Sequence, residues 1–372
     1  MDIKNFLSIL KDLGGSFYAG VPDSLLTPFI DAIVDTHGVG DSHIVAANEG
    51  AAVGLAAGHY LATSRPAIVY MQNSGIGNAV NPIASLLHKK VYSIPVIFVI
   101  GWRGEPGIKD EPQHVFQGES TLSLLECLEI PHVVISKENH NLNSVIQDFK
   151  QHISRGQSVA FVICKDALQN NKKMKYTSDA TLSREDALKI ILANTGEDAT
   201  YVCTTGKLSR EVFEIRVQNG DSHAHDFLTV GSMGHSLMIA HGIALAKPKK
   251  RIFCLDGDGA ILMHMGSLAV VGTRNPKNLV HIVINNGAHE TVGGLPAVSN
   301  KLNLCNVAKA LGYSQVFQVS SNEVLQTTLN GISNSEGSVF VEIICNLLSR
   351  TDLGRPTTTP IQNKNDLMEN LK

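Results

Sequence analysis

Short runs of β-branched and aromatic residues, each followed by a stretch of helical spacing, recur along this chain and are interrupted once by a lysine-rich polar segment. SFYAGV, HIVAAN, PAIVYM, PVIFVIG, HVVIS and SVAFVIC precede the break; YVCTT, HDFLTVGS, RIFCLDG, LVHIVINN and SVFVEIIC follow it. A continuous apolar run of strand length suits a sheet buried on both faces, and the intervening helices cover those faces. The pattern therefore predicts an α/β fold made of two tandem doubly wound parallel-sheet domains. The break, KDALQNNKKMKYTSDATL, carries almost no periodic apolar signal and reads as a linker. We place a first domain at 1–166, the linker at 167–182 and a second domain at 183–350. The polar stretch 351–372 reads as a surface tail. Ser183, with Asp186 three residues on, resembles a capping box that opens the helix REDALKIILAN. No sequence repeat relates the two halves.

Size and charge agree with this reading. A chain of 372 residues can bury two cores, and 43% hydrophobic with 17% charged residues is a globular composition. The formal charge of -3, with no stripe of Lys and Arg, argues against a nucleic-acid partner, so an anionic ligand must be held locally. The opening MDIKNFLSILKDLGG mixes acidic and basic residues and spaces Ile3, Phe6, Leu7 and Leu10 as on one helix face, unlike a secretory signal. No apolar stretch approaches the ~20 residues that span a bilayer. Cys127, Cys164, Cys203, Cys254, Cys305 and Cys345 are scattered with no CxxC pair and read as reduced core residues. A cytoplasmic protein without a membrane partner is expected.

The most informative segment is RIFCLDGDGAILMHMGSLAVVGTRNPKNLVHIVINNGAHE. A buried strand runs to Asp256, a tight Gly257-Asp258-Gly259 turn follows, a helix starts near Ala260, and a second apolar strand ends at Asn285-Asn286. Both strands deliver oxygen ligands at their carboxyl ends, where open α/β sheets bind ligands. One carboxylate and one amide oxygen suit Mg2+, which shares hard oxygen ligands between protein and phosphates. The glycines let backbone N–H groups approach a diphosphate beside a helix N-terminus.

GDG, 25 residues, then NN resembles the cofactor signature of the thiamine diphosphate enzymes. The resemblance implies that Asp258, Asn286 and the backbone carbonyl of Ala288 ligate Mg2+, with Gly257, Gly259 and Ala260 at the diphosphate. VGSMGHSLMIAHGIALA is similar to the family stretch in which Gly231, Ser232 and Gly234 would contact the diphosphate, while Met233 would prop the cofactor in its bent shape. HIVAANEGAAVGLAAGHYLATSRPA resembles the segment carrying the glutamate that hydrogen bonds the aminopyrimidine, which falls on Glu49. Each piece has a plainer reading: a Gly/Asp turn, a strand-end cap, a core methionine, an acid at a helix N-terminus. Three pieces in the family's order, spanning nearly the whole chain, favour the resemblance.

The chain has no room for the middle domain that many thiamine decarboxylases carry. GVPDSLL at 20–26, GWRGEPGIKDEPQHVFQGES at 101–120 and NNGAHETVGGLP at 285–296 resemble the branch that decarboxylates short 2-oxo acids bearing a phosphonate or sulfonate. This implies a small, strongly anionic 2-oxo acid substrate and at least a homodimer, with active sites between chains. Glu49, Asp23 and His114 are the candidate catalytic residues, and Arg103, Lys109 and Gln117 the candidates for the substrate. Glu105, Asp110 and Glu111 leave the same loop acidic, so a solvated lid stays open as an alternative, and Asp23 could simply cap the helix SLLTPFIDAI. Among the histidines, His114, His235 and His289 lie by motif loops and are candidates for proton transfer, whereas His37, His152 and His223 read as surface residues.

Two competing readings remain. PAIVYMQNSGIGNAV has the strand, Gly75, Gly77 and helix of a nicotinamide-binding dehydrogenase, but Val80 stands where the third glycine belongs and no acid at 95–97 could hold a ribose. A catalytically silent scaffold would be expected to lose Glu49 or Asp258, and both are present.

Overall fold

The computed structural model describes residues 1–138, 142–196, 198–332 and 335–372. Two compact units divide the chain, one of residues 1–176 with 289–295, the other of 177–288 with 296–372.

In the first unit the strands are β1 (Tyr18–Gly20), β2 (His43–Val45), β3 (Ala67–Gln72), β4 (Val96–Gly101), β5 (His132–Ile135) and β6 (Val159–Ile163). They pair in parallel throughout, in the order β2-β1-β3-β4-β6-β5. The helices are α1 (Ile3–Asp12), α2 (Thr27–His37), α3 (Glu49–Thr63), α4 (Ile76–Pro82), α5 (Pro112–Cys127) and α6 (Asn143–Ser154). β4 and β6 are buried at every position, which is why their sequences lack alternation. On α1 the spacing read from sequence is realised, since Ile3, Phe6 and Leu10 face inward and Asp2 caps Lys4 N at 2.8 Å. Phe6, Phe29, Phe149, Phe161 and Tyr70 meet edge to face between the helices and the sheet. Each such buried ring is worth about 1.5–3 kcal/mol of transfer free energy. Asn48 caps α3 at Ala51 N, and the inward face Ala52, Val53, Ala56 and Ala57 keeps that helix close to the sheet.

The second unit holds β7 (Thr200–Cys203), β8 (Asp226–Leu228), β9 (Ile252–Gly257), β10 (Leu279–Asn285), β13 (Gln315–Val319) and β14 (Val339–Ile344); the two-residue strands β11 (Ala288–His289) and β12 (Leu295–Pro296), between β10 and β13 in the chain, fall where the division between the units crosses the sequence. Its helices are α7 (Arg184–Asn194), α8 (Lys207–Asn219), α9 (Ser236–Ala246), α10 (Asp258–Met263), α11 (Gly266–Arg274), α12 (Leu304–Ala310), α13 (Asn322–Ile332) and α14 (Pro360–Asn370). The sheet order β13-β14-β10-β9-β7-β8, read from its other edge, is the winding of the first sheet repeated. The repeat that the residues do not show is thus present in the topology. In each sheet the order reverses between the first and third strands, β1 with β3 and β7 with β9, the point at whose carboxyl ends open α/β sheets bind ligands.

Ser183 accepts from Asp186 N at 3.1 Å and opens α7, as its sequence implies. Three expectations need correction. Residues 351–372 are no bare tail: α14 starts at a capping box of Thr359 and Gln362 and buries Leu367. Asn363 brackets edge strand β8, donating to Asp226 O at 2.7 Å and accepting from Leu228 N at 2.9 Å, so the helix covers an edge that would otherwise offer open backbone groups. The start of the expected linker is docked, since Ile3 N donates to Gln169 O and Gln169 N to Met1 O, with Ala167 and Leu168 buried. His223 is not a free surface residue but stacks on Phe213 with ring centroids 4.1 Å apart.

Candidate active site

The carboxyl edge of the first sheet gathers four loops. β2 runs through Asn48 into Glu49, the first residue of α3 and only 5% exposed. Asn78 Nδ2 donates to Glu49 Oε2 at 2.8 Å. Burial raises the Glu49 pKa above the usual carboxylate range, and the Asn78 hydrogen bond opposes that rise. The space comes from Gly75: a Cβ there would stand 2.6 Å from the Glu49 carboxyl carbon. The glycine that the dehydrogenase reading would set against a dinucleotide thus makes room for a buried carboxylate. Replacing Gly75 by Ala is therefore expected to displace Glu49, costing about 1–3 kcal/mol of stability from overpacking and most of the turnover. Melting temperature and kcat measured together check this.

Asp23 follows β1 and is 3% exposed. Both plain and functional features meet in it: Oδ2 caps the next turn at Leu25 N (3.0 Å), and Oδ1 accepts from Gln72 Nε2 (2.7 Å) at the end of β3, across the point where strand order reverses. Burial raises its pKa, opposed by Gln72 and by the positive charge of Arg103. Gly101, ending β4, admits this carboxylate, since a Cβ there would come within 2.5 Å of Asp23 Oδ2.

The loop after β4 differs from its sequence reading. Arg103 is already engaged: Nε and Nη2 donate to the two Asp110 oxygens at 2.8 and 2.5 Å, and Nη1 donates to Ser24 Oγ at 3.2 Å, which uses three of the five N–H groups of a guanidinium. His114 Nδ1 lies 2.9 Å from Asp110 Oδ1. Lys109 is exposed, and Gln117 is half-buried with its side-chain oxygen unpartnered. The residue that sequence reasoning missed is Asp110, counted there only as loop acidity. Its signal is visible in hindsight, because a carboxylate four residues before His114 on a helical entry faces the same side.

In the second unit β9 ends at Gly257, α10 begins at once with Asp258, and Ile284 of β10 lies opposite Gly257. The Asp258 carboxylate, 4% exposed, accepts from Ser299 Oγ and from the backbone N–H groups of Gly259 and Asn286. The structure therefore brings Asp258 to the Asn286 backbone. Burial pushes the Asp258 carboxyl up to about 6 despite these hydrogen bonds. Asn286 Oδ1 accepts from Ala288 N at 3.1 Å and Asn285 Oδ1 from Gly287 N at 2.9 Å, two local turns that fold the strand end back.

Beside them, after β8, Gly231, Ser232 and Gly234 have φ of 67°, 46° and 87°. Gly231 N donates to Thr205 Oγ1 at 3.0 Å, and a Cβ on Gly234 would stand 2.8 Å from Ala260 O and 2.6 Å from the His264 ring. Met233 is half-buried between them. Thr204 Oγ1, just after β7, and Thr229 Oγ1, after β8, are buried with no hydrogen-bond partner among the described residues. A buried carboxylate with no paired cation among the described residues, an amide oxygen just past the next strand, glycines packed against a helix start and two hydroxyls without partners fit a cation-bound diphosphate.

The fold and these two edges define an α/β enzyme that holds a diphosphate cofactor. Residues 4–125 match the thiamine pyrophosphate enzyme N-terminal TPP binding domain, and residues 204–343 the C-terminal TPP binding domain. Phosphonopyruvate decarboxylase of Streptomyces viridochromogenes is 34% identical to this chain, over 95% of it and 90% of the relative. The Streptomyces hygroscopicus protein of the same name is 32% identical, over 96% and 90%. The sulfopyruvate decarboxylase beta subunit of Methanococcus maripaludis is 32% identical over 43% of this chain and 83% of that subunit. The chain belongs to the thiamine pyrophosphate enzymes, among the carboxy-lyases of that family.

Proposed function

We propose that this enzyme decarboxylates 3-phosphonopyruvate to phosphonoacetaldehyde and CO2, with thiamine diphosphate held through Mg2+, as a step in phosphonate biosynthesis. The observation that carries the cofactor assignment is the buried Asp258 carboxylate joined to Asn286 at adjacent strand ends; identity with the two Streptomyces decarboxylases over nearly the full chain supports the substrate.

Asp258, the Asn286 side-chain oxygen and the Ala288 carbonyl would hold Mg2+, and Gly231, Ser232, Gly234, Gly257, Gly259 and Ala260 would line the diphosphate. Met233 would support the cofactor between its two rings. Thiamine diphosphate, when bound, supplies the electron sink for loss of CO2. Glu49 would hold a proton at Oε1 or Oε2 toward the aminopyrimidine nitrogen, a task that favours a carboxyl with its pKa raised by burial. Asp23 would exclude water and orient the 2-oxo acid from the far side of the Gln72 bridge, and His114 would carry the proton that the product carbon receives. Arg103, Lys109 and Gln117 remain the groups we assign to the anionic end, Arg103 through the N–H groups not bonded to Asp110 or Ser24.

A homodimer or larger assembly is supported by the exposed small-residue face of α3, where Ala51, Gly54 and Gly58 lie bare beside Leu61. Six unpaired cysteines support a cytoplasmic location; among the described residues no helix is long and apolar enough to cross a membrane.

Comparing kcat/KM for phosphonopyruvate, sulfopyruvate and pyruvate tests the substrate. Phosphonopyruvate is expected to exceed pyruvate on the order of 10²-fold or more, since groups placed for an anion are left unpaired by its absence. A preference for sulfopyruvate would favour the second reading, motivated by the Methanococcus relative.

A further inference from the structure

We propose that Asp110 is the positioning residue of this active site: its carboxylate fixes the tautomer of His114 and the orientation of Arg103 at the carboxyl edge of the first sheet. The inference rests on the thiamine-dependent decarboxylation proposed above and names the group that sets up its proton donor.

Five hydrogen bonds converge on this one side chain. Oδ1 accepts from Arg103 Nη2 (2.5 Å), Glu111 N (2.7 Å) and His114 Nδ1 (2.9 Å), and Oδ2 from Arg103 Nε (2.8 Å) and Gly104 N (3.0 Å). An ionised carboxylate offers about four acceptor sites, so Asp110 is saturated. The side chains of Asp110 and His114 are each only 12% exposed, which limits competition from water. Hydrogen bonds from Arg103, His114 and the two amides outweigh desolvation and hold the Asp110 carboxyl far below the usual range. It is therefore acceptor-only, and the His114 nitrogen facing it must be a donor. Nδ1 carries a proton in either charge state, which leaves Nε2 as the nitrogen that can exchange a proton with a ligand.

The frame around this carboxylate is also fixed. Arg103 N donates to Asn73 Oδ1 at 3.1 Å, Asn73 Nδ2 returns to Arg103 O at 2.8 Å, and Trp102 Nε1 donates to Gly118 O at 2.9 Å. The loop is thus tied to the turn after β3 and to the body of α5, and Asp110 bridges the Arg103 end to the His114 end. A solvated lid would not be bonded in this way, so the loop's net acidity conceals an internal ion pair.

The test reads the His114 imidazole by ¹⁵N NMR in the full-length protein, in wild type and in Asp110→Ala, alongside kcat and thiamine diphosphate affinity. The wild type is expected to show a protonated Nδ1, and Asp110→Ala to shift toward the Nε2–H tautomer. kcat is expected to fall roughly 10- to 100-fold, the scale for groups that orient a functional histidine, with cofactor affinity unchanged. In a His114→Gln background the same substitution should cost kcat little more, since the two act as a unit. A wild-type imidazole with bare Nδ1, or equal losses of kcat in both backgrounds, would overturn the proposal. Should Asp110→Ala fail to fold, Asp110→Asn and the wild-type spectrum decide it. If the wild type turned over no 2-oxo acid, the proposed reaction would fail while the imidazole signals still judged the Asp110–His114 bond.

Discussion

Replacing Glu49 by Gln is expected to lower kcat by roughly 10²- to 10⁴-fold while leaving cofactor binding largely intact. Gln keeps the shape that Gly75 admits and can still face Asn78, so the site should remain built. What it lacks is a proton that can be given and taken back. Burial makes the charged form of Glu49 costly, and that same cost favours a carboxyl that shares its proton with a ring nitrogen. Steady-state turnover combined with a thiamine diphosphate titration separates the two effects. A variant that kept kcat within a few fold would remove Glu49 from the chemistry.

Replacing Asp258 by Ala should act on loading and not on the loaded enzyme. Apparent affinity for thiamine diphosphate with Mg2+ is expected to fall on the order of 10²-fold or more, as when a buried charge loses its partner. The sign of the pH dependence follows from burial. With the Asp258 carboxyl pushed up to about 6 in the metal-free protein, protons compete with the cation below that pH, so Mg2+ affinity should weaken as pH falls through it. Titrations from pH 8 to about 5 by calorimetry would check this; an affinity flat across that range would place the cation elsewhere.

Much of the fold was legible because its strands are buried on both faces. β3, β4, β6, β9 and β10 are apolar runs that no other element of that length explains. β13 escaped notice because Gln315 and Gln318 break its run and its residues are mostly half-buried, as suits an edge strand. α14 escaped because only Asn363 and Leu367 turn inward, too few for a periodic signal. Strand order could not be read, since it depends on which apolar faces meet and not on any one segment.

The proposed cofactor edge was more legible than the proposed substrate edge for a physical reason. Diphosphate and cation need glycines and strand-end oxygens at fixed spacing, and spacing survives in sequence. The Arg103–Asp110–His114 cluster is held by a loop that brings its residues together, and composition alone presents only a slightly acidic segment. Gly75 is the intermediate case: the glycine was noticed, but its reason, the Glu49 carboxylate, lies 26 positions away in the chain.

CO2 release from phosphonopyruvate, followed on protein stripped with a chelator and then reloaded, bears most directly on the whole scheme. Stripped enzyme should be silent, Mg2+ or thiamine diphosphate alone should restore little, and both together should restore full release. Release that persisted without the cofactor, or that failed to return with both present, would contradict the assignment of Asp258 and Asn286 to Mg2+ and of Glu49 to thiamine diphosphate.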